Sequence, residues 1–232
     1  MREIALDTET TGMDPFEGDR IVEIGAVEMV NHLPTGKTCQ IYINPEREVP
    51  QEAIAVHGIT NEFLKDKPVF SQVYSDFIEF IGEDSKLIIH NAEFDMKFLN
   101  WELEQVGHAP LPWNRVIDTL TMARKKFPGS PANLDALCRR FNIDNSDRTY
   151  HGALLDSELL AEVYLELLGG LQRGLSLSDN AGKGNDGMFT SGKIERKLRP
   201  ARPHAPSAEE LAAHKEFLEE LTDPLWEKIK SV

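Results

Sequence analysis

The amino-acid order predicts an α/β fold, a mixed sheet covered by helices. Three observations carry that expectation. Strand-like runs come first and close together, as in a meander; later strand-like runs alternate with helix-like ones; and 232 residues, 41% of them hydrophobic, suffice for a sizeable core. In chain order, 3–10 reads as a strand, and 21–30 (IVEIGAVEMV) as a second after a turn bearing glycine and proline. Residues 38–43 make a third. Helical patterning occupies 69–81, a buried strand 86–90 (KLIIH), and a helix about 94–106, where Phe94/Phe98 and Leu99/Leu103/Val106 form an apolar face. A last short strand is expected at 115–118, then helices at 119–126, 133–140 and about 154–168.

Composition changes after Leu168. Residues 169–206 hold seven glycines and three prolines, and seven basic against three acidic side chains, which predicts a flexible linker. In 207–232, Ser207 and Glu210 have the spacing of a capping box, and Leu211, His214, Leu218, Leu221 and Leu225 recur at helical intervals, with Pro224 marking a break or restart. Such a helix is marginal without a surface to pack on. The expected organisation is therefore a body of 1–168, a linker and a helical tail. The body carries 15 basic and 29 acidic residues, equal to the whole net charge of −14.

These numbers exclude collagen-like, coiled-coil and wholly disordered chains. Charges at Arg2, Glu3 and Asp7 interrupt the start, and no run approaches the ~18 apolar residues of a membrane span, so a cytoplasmic protein with no membrane partner is expected. Cys39 and Cys138 lie far apart with no CxxC partner, which indicates neither a disulfide framework nor a zinc cluster. The acidic balance argues against holding polyanions by bulk electrostatics. Something else must keep a nucleic-acid substrate close.

Asp7 and Glu9 stand two apart in a strand and so point to one face, where they can grip one cation together. Taken alone, the pair also fits a half-exposed edge strand. The Thr10-Thr11-Gly12 turn that follows offers backbone N–H groups to a ligand. Asp95 opens a helix leaving a buried strand, where sites collect in open α/β sheets, although a helix-start aspartate is also favoured by the macrodipole. Asp156 begins the last body helix. His151 precedes it by five residues, a turn of about 140° if both were helical, so His151 is expected in the Gly152 loop, swinging over a site that Asp156 supports. Four carboxylates brought together resist joint ionisation. Two divalent cations would neutralise them, and oxygen donors without cysteine favour Mg²⁺ or Mn²⁺. Such an arrangement suits phosphoryl displacement, with His151 taking the proton of the attacking water.

LDTETTG (6–12), HNAEFD (90–95) and HGALLD (151–156) resemble the three exonuclease motifs of the DEDD superfamily. The histidine five before the last aspartate is the His-branch pattern; position 152, where the Tyr branch carries tyrosine, is glycine. IVEIGAVEMV, AVHGIT, VIDTLTMARKKFPG, NLDALCRRF and HGALLDSELLAEVYL are similar to the epsilon proofreading-subunit family of bacterial DNA polymerase III, nearly continuously over 3–168. The resemblance implies a ribonuclease H-like five-stranded mixed sheet and a metal-dependent 3′–5′ DNA exonuclease that removes mispaired 3′-terminal nucleotides. It further implies that Asp7, Glu9, Asp95 and Asp156 hold two metals, Asp7 and Asp156 serving the tighter site, with His151 as general base. Glu52 and His57 match positions contacting the 3′-terminal nucleotide, Thr8 lies where it would touch the terminal sugar, and Asp118 is a supporting acid. Glu93 departs from the commoner small residue and is expected to perturb metal affinity.

Gln172-Arg-Gly-Leu175-Ser-Leu177 resembles a peptide that docks on the sliding clamp, and the family carries such a segment at this place. The tail helix, with Phe217 and Trp226, would anchor the polymerase III alpha subunit; a small theta-like subunit is a further partner of the family. Two other readings are an RNA 3′-exonuclease of the ribonuclease T or oligoribonuclease kind, which the long tail disfavours, and a non-catalytic polymerase scaffold, which the intact acidic set disfavours.

Overall fold

A computed structural model describes residues 1–146, 150–170 and 205–222. The chain divides into two compact units, Met1–Leu177 and Ser178–Val232. In the first, five strands, β1 (Arg2–Thr10), β2 (Ile21–Val30), β3 (Leu33–Tyr42), β4 (Lys86–Ile89) and β5 (Val116–Asp118), form one sheet in the order β3-β2-β1-β4-β5. β1 is antiparallel to β2 and parallel to β4, and β4 is parallel to β5. The sheet is thus mixed, as the opening meander and later alternation predict.

Period-two alternation divides the core at β1. Ile4 and Leu6 pack with Phe77 and Ile81 of α3 (Phe70–Ile81, after α1, Gln51–His57, and α2, Asn61–Leu64) and with Phe98, Leu99 and Leu103 of α4 (Ala92–Gln105). Ala5, Val27 and Met29 face the opposite layer: Ala123 of α5 (Thr119–Lys126), Leu137 of α6 (Leu134–Phe141), and Leu160 and Val163 of α7 (Ala153–Leu167). The odd side chains of β1 therefore point at α7, and the even ones at α3 and α4. Glu3, fully buried on the α7 side, accepts hydrogen bonds from the Tyr164 hydroxyl (3.0 Å) and the His32 backbone N–H (2.9 Å). Its desolvation is offset by these donors.

β3 begins at Leu33 rather than 38 because Asn31 and His32 close a two-residue hairpin, both at positive φ (52° and 72°). α4 begins at Ala92, two residues before the expected start: Asn91, in the left-handed region (φ 63°), turns the chain out of β4. α1 and α2 were not foreseen, because seven and four residues are too short to show helical periodicity.

In the second unit, α8 (Ala208–Glu220) starts with the expected capping box: Ser207 Oγ accepts from the Glu210 N–H (3.2 Å), and Glu210 Oε2 from the Ser207 N–H (2.8 Å). Leu211, Phe217 and Leu221 are exposed, and Leu221 lies past the helix end with extended backbone. Gln172, Leu175, Leu177, Pro224, Leu225 and Trp226 lie outside the described residues. Among those described, no helix is long and apolar enough to cross a membrane.

Candidate active site

The C-terminal end of β1 carries Asp7 and Glu9 on its α7 face. Opposite them on β2 stand Gly25 (paired with Asp7) and Glu23 (paired with Glu9). Residues directly opposite in an antiparallel pair share a face, so a side chain at position 25 would meet α7. There is no room for one: a Cβ on Gly25 would lie 2.1 Å from the Ala153 carbonyl carbon and 2.2 Å from both its oxygen and the Leu154 nitrogen. The bare strand lets the first turn of α7 press onto the sheet beside Asp7. Two polar contacts lock it there. The Ala153 N–H donates to Glu23 Oε2 (3.0 Å) and the Ser157 hydroxyl to the Gly25 carbonyl (2.9 Å), all in the buried interior.

That turn delivers Asp156, which is 3% exposed. His151 lies in the loop before α7, as expected, its backbone N–H bonded to the Val56 carbonyl of α1 (3.0 Å). Its Nδ1 is 3.4 Å from Asp156 Oδ2, while 48% of the histidine side chain stays open to solvent. Glu9, His151 and Asp156 each offer a ligand atom, all within 4.8 Å of one another.

Asp95 reaches the same cavity from the opposite layer, on the first turn of α4 after β4. Thr8, an even residue of β1 facing α4, donates its hydroxyl to Asp95 Oδ1 at 2.7 Å. Burial raises the Asp95 carboxyl to about 7, with the Thr8 hydrogen bond acting in the opposite direction. The resemblance placed Thr8 at the terminal sugar; here its hydroxyl proton is given to Asp95. The cavity, about 340 Å³, is lined by all four expected acids and His151, together with Asn91, Asn133 and Asp135. Asp7 and Asp95 stand outside the closest trio, in which Glu9 rather than Asp7 accompanies Asp156. The donor set is rich in hard oxygen and contains no sulfur, which fits a hard divalent cation. Asp118 stays a supporting group: it accepts from the backbone N–H groups of Asn91 (3.1 Å) and Leu120 (3.0 Å), fixing the corner before α4 and the start of α5. Glu93 is exposed and does not line the cavity.

A second cavity of about 330 Å³ adjoins the first through Thr8, Glu9 and Phe94. Thr10–Met13, Glu52, Val56 and His57 complete much of its wall. His57, 5% exposed, accepts from the Ile59 N–H at Nδ1 (3.0 Å), which leaves the proton of its neutral ring on Nε2; burial lowers its pKa, favouring that form. In the turn after β1, the Thr11 N–H is taken by the Arg20 carbonyl (2.9 Å), so this donor does not face a ligand as expected.

Sequence reasoning named Asp7, Glu9, Asp95, Asp156, His151, Glu52 and His57, and the two adjoining cavities take in all seven. It passed over Glu23, Gly25, Asn91, Asn133 and Asp135. A glycine inside an otherwise apolar strand was the available signal for close backbone approach at position 25.

The exonuclease family RNase_T matches residues 4–164. DNA polymerase III subunit epsilon of Rickettsia felis is 54% identical over 222 residues, covering 94% of this chain and 96% of the relative. That of Escherichia coli is 44% identical over 225 residues, 94% and 92% of the two chains. Among solved structures, exonuclease X in complex with 5′ overhanging duplex DNA superposes with TM-score 0.55 at 26% identity, covering 72% of this chain and 90% of that one. The nuclease domain of 3′hExo, a DEDDh family member bound to rAMP, shares the fold with TM-score 0.62 at 23% identity, covering 72% and 91%.

Proposed function

We propose how this site works from one premise: the chain belongs to the exonuclease family and, within it, to the DNA polymerase III epsilon subunits. It is a 3′–5′ exonuclease that proofreads for the replicative polymerase, hydrolysing mispaired 3′-terminal nucleotides. Divalent metal dependence and association with DNA and the polymerase core come with that membership. The observation that carries the assignment of residues is the gathering of four acids and His151, from distant parts of the sequence, around one cavity.

Glu9, Asp156, Asp7 and Asp95 would hold two ions of Mg²⁺ or Mn²⁺, the cations their oxygen donors suit. When bound, such ions stabilise the attacking and leaving oxygens of an in-line displacement at phosphorus. Thr8 keeps the Asp95 carboxylate oriented toward the cavity. With Nδ1 turned to Asp156, His151 receives the water's proton on Nε2, and its half-open side chain gives that proton a route to solvent. The adjoining cavity takes the terminal nucleotide against Phe94, with Glu52 and His57 in the wall beside it. A mispaired end costs less to unpair and so enters more often.

The tail supplies what the acidic body lacks. Gln172, Leu175 and Leu177 would dock on the sliding clamp, the segment with Phe217 and Trp226 on the alpha subunit, and the body would accept a small theta-like subunit. Tethering raises local concentration without phosphate contacts.

Degradation of a mispaired primer tests the reading. Loss of cleavage on chelation, and in Asp7→Ala with Glu9→Ala, supports it; undiminished cleavage by that variant refutes the assignment. Faster degradation of RNA than of DNA ends would instead favour the RNA exonuclease reading.

A further inference from the structure

We propose that an aromatic groove along the outer side of α4 takes the unpaired bases that precede the terminal nucleotide, so that the enzyme holds single-stranded DNA by stacking. This rests on the exonuclease reading above and specifies where the rest of the strand lies. The groove, about 520 Å³, is lined by Phe16, Lys97, Asn100, Trp101, Glu104 and Trp113 among others.

Two chain segments that line the terminal-nucleotide cavity also line the groove a few residues further on. On one side Met13 lines that cavity, and three residues later Phe16 lines the groove. On the other, Phe94 lines the cavity, and Lys97, Trp101 and Glu104 line the groove. At 100° per residue these four α4 positions fall within an arc of about 80°, one continuous stripe. Trp101 is about 10 Å along the helix axis from Phe94, roughly three stacked bases at 3.4 Å each.

The surface is made for flat rings. Phe16 is 74% and Trp113 56% exposed, an arrangement that costs hydration and marks a binding face. Trp101 is held in place: the Arg20 guanidinium sits 5.5 Å from its ring centroid and is itself fixed by two hydrogen bonds to Glu102 (2.7 and 2.9 Å). Lys97 bridges the walls, with Nζ 2.8 Å from Asp14 Oδ2 and 5.4 Å from the Phe16 centroid. Both cations are already paired with acids, so neutralisation of phosphate is not the main source of binding. Stacking tolerates any base, which a proofreading enzyme requires. It also resolves the difficulty posed by a body carrying 29 acidic residues against 15 basic.

The test uses the full chain as Asp7→Ala, to stop hydrolysis, with Trp226→Phe, so that Trp101 and Trp113 are the only tryptophans. Titration with oligothymidylates in Mg²⁺ should quench fluorescence at roughly tenfold lower concentration for a hexamer than for a dinucleotide, as expected for one or more added stacked bases. Raising the salt from 50 to 200 mM should shift the hexamer midpoint less than about threefold. In the otherwise wild-type chain, Trp101→Ala should cut the kcat/KM advantage of hexamer over dinucleotide about tenfold, and Trp101→Phe should restore much of it. Equal midpoints for the two lengths, or quenching that follows protein concentration or added polymerase core instead of DNA, would overturn the proposal. Because the readout is binding, that failure is distinct from a chain that degrades no 3′ end, which would sink the exonuclease reading itself.

Discussion

Substituting Gly25→Ala tests the dependence of the site on one missing side chain. The new Cβ would lie 2.1 Å from the Ala153 carbonyl carbon, against an ordinary contact of at least 3.4 Å, so the first turn of α7 or strand β2 must yield by about 1.3 Å. Neither is a flexible side chain; the opposing atoms are backbone. The shift falls between Asp7 on one side and Asp156 and His151 on the other, and a misplacement of about 1 Å costs catalysis on the order of 100-fold. Overpacking costs about 1–3 kcal/mol of stability, a few degrees in Tm per kcal/mol for a domain of this size. The assay is degradation of a mispaired primer well below the melting temperature, beside a thermal melt by circular dichroism. Gly152→Ala is the control, since its Cβ would meet nothing within 4 Å and its backbone is already extended (φ −139°). A folded Gly25→Ala enzyme with wild-type kcat would refute the argument that close approach at β2 sets the site.

Asp95 links activity to pH. Burial pushes its pKa in the folded chain up to about 7, above the usual carboxylate range of about 4. Its contribution to stability of the metal-free chain is therefore fully present below pH ~4 and is lost as pH rises through about 7. Since a metal must displace the same proton, Mn²⁺ affinity by calorimetry should rise by up to about tenfold per pH unit below 7 and then level; a flat profile would contradict this. Thr8→Val, removing a hydrogen bond that lowers the Asp95 pKa, should move that inflection to higher pH. His151→Ala should lower kcat by about 10²–10⁴-fold while terminal-nucleotide affinity is kept, and a wild-type rate would assign the base elsewhere. Glu23→Ala strands the buried Ala153 N–H and should cost about 1–3 kcal/mol by chemical denaturation, with Glu23→Gln, which keeps an acceptor, costing less; equal losses would mean that the hydrogen bond is not what matters.

Much of this architecture was legible without coordinates, for identifiable reasons. β2 and α7 are long and strongly apolar, and their periods decide strand against helix. The acids were legible because alternation puts Asp7 and Glu9 on one face, and because strand ends and helix starts are where open sheets assemble sites. What escaped was short or relational. α1 and α2 have too few residues for a period, and the hairpin at Asn31 and His32 lacks the usual glycine. The Thr8 hydroxyl finds its partner 87 residues away, which no local pattern announces.

The sequence by itself determined the long strands and helices, the shared face of Asp7 and Glu9 and the loop position of His151, since each follows from side-chain period or residue type over a few neighbouring positions, while the four-acid set was legible through the resemblance of its three motifs. Only the tertiary structure decided which acids stand closest, that Thr8 serves Asp95, that Gly25 admits α7, and that Phe16, Trp101 and Trp113 line one groove. Those facts depend on distances between segments far apart in the chain, and such distances are set by how two packed layers meet across a strand.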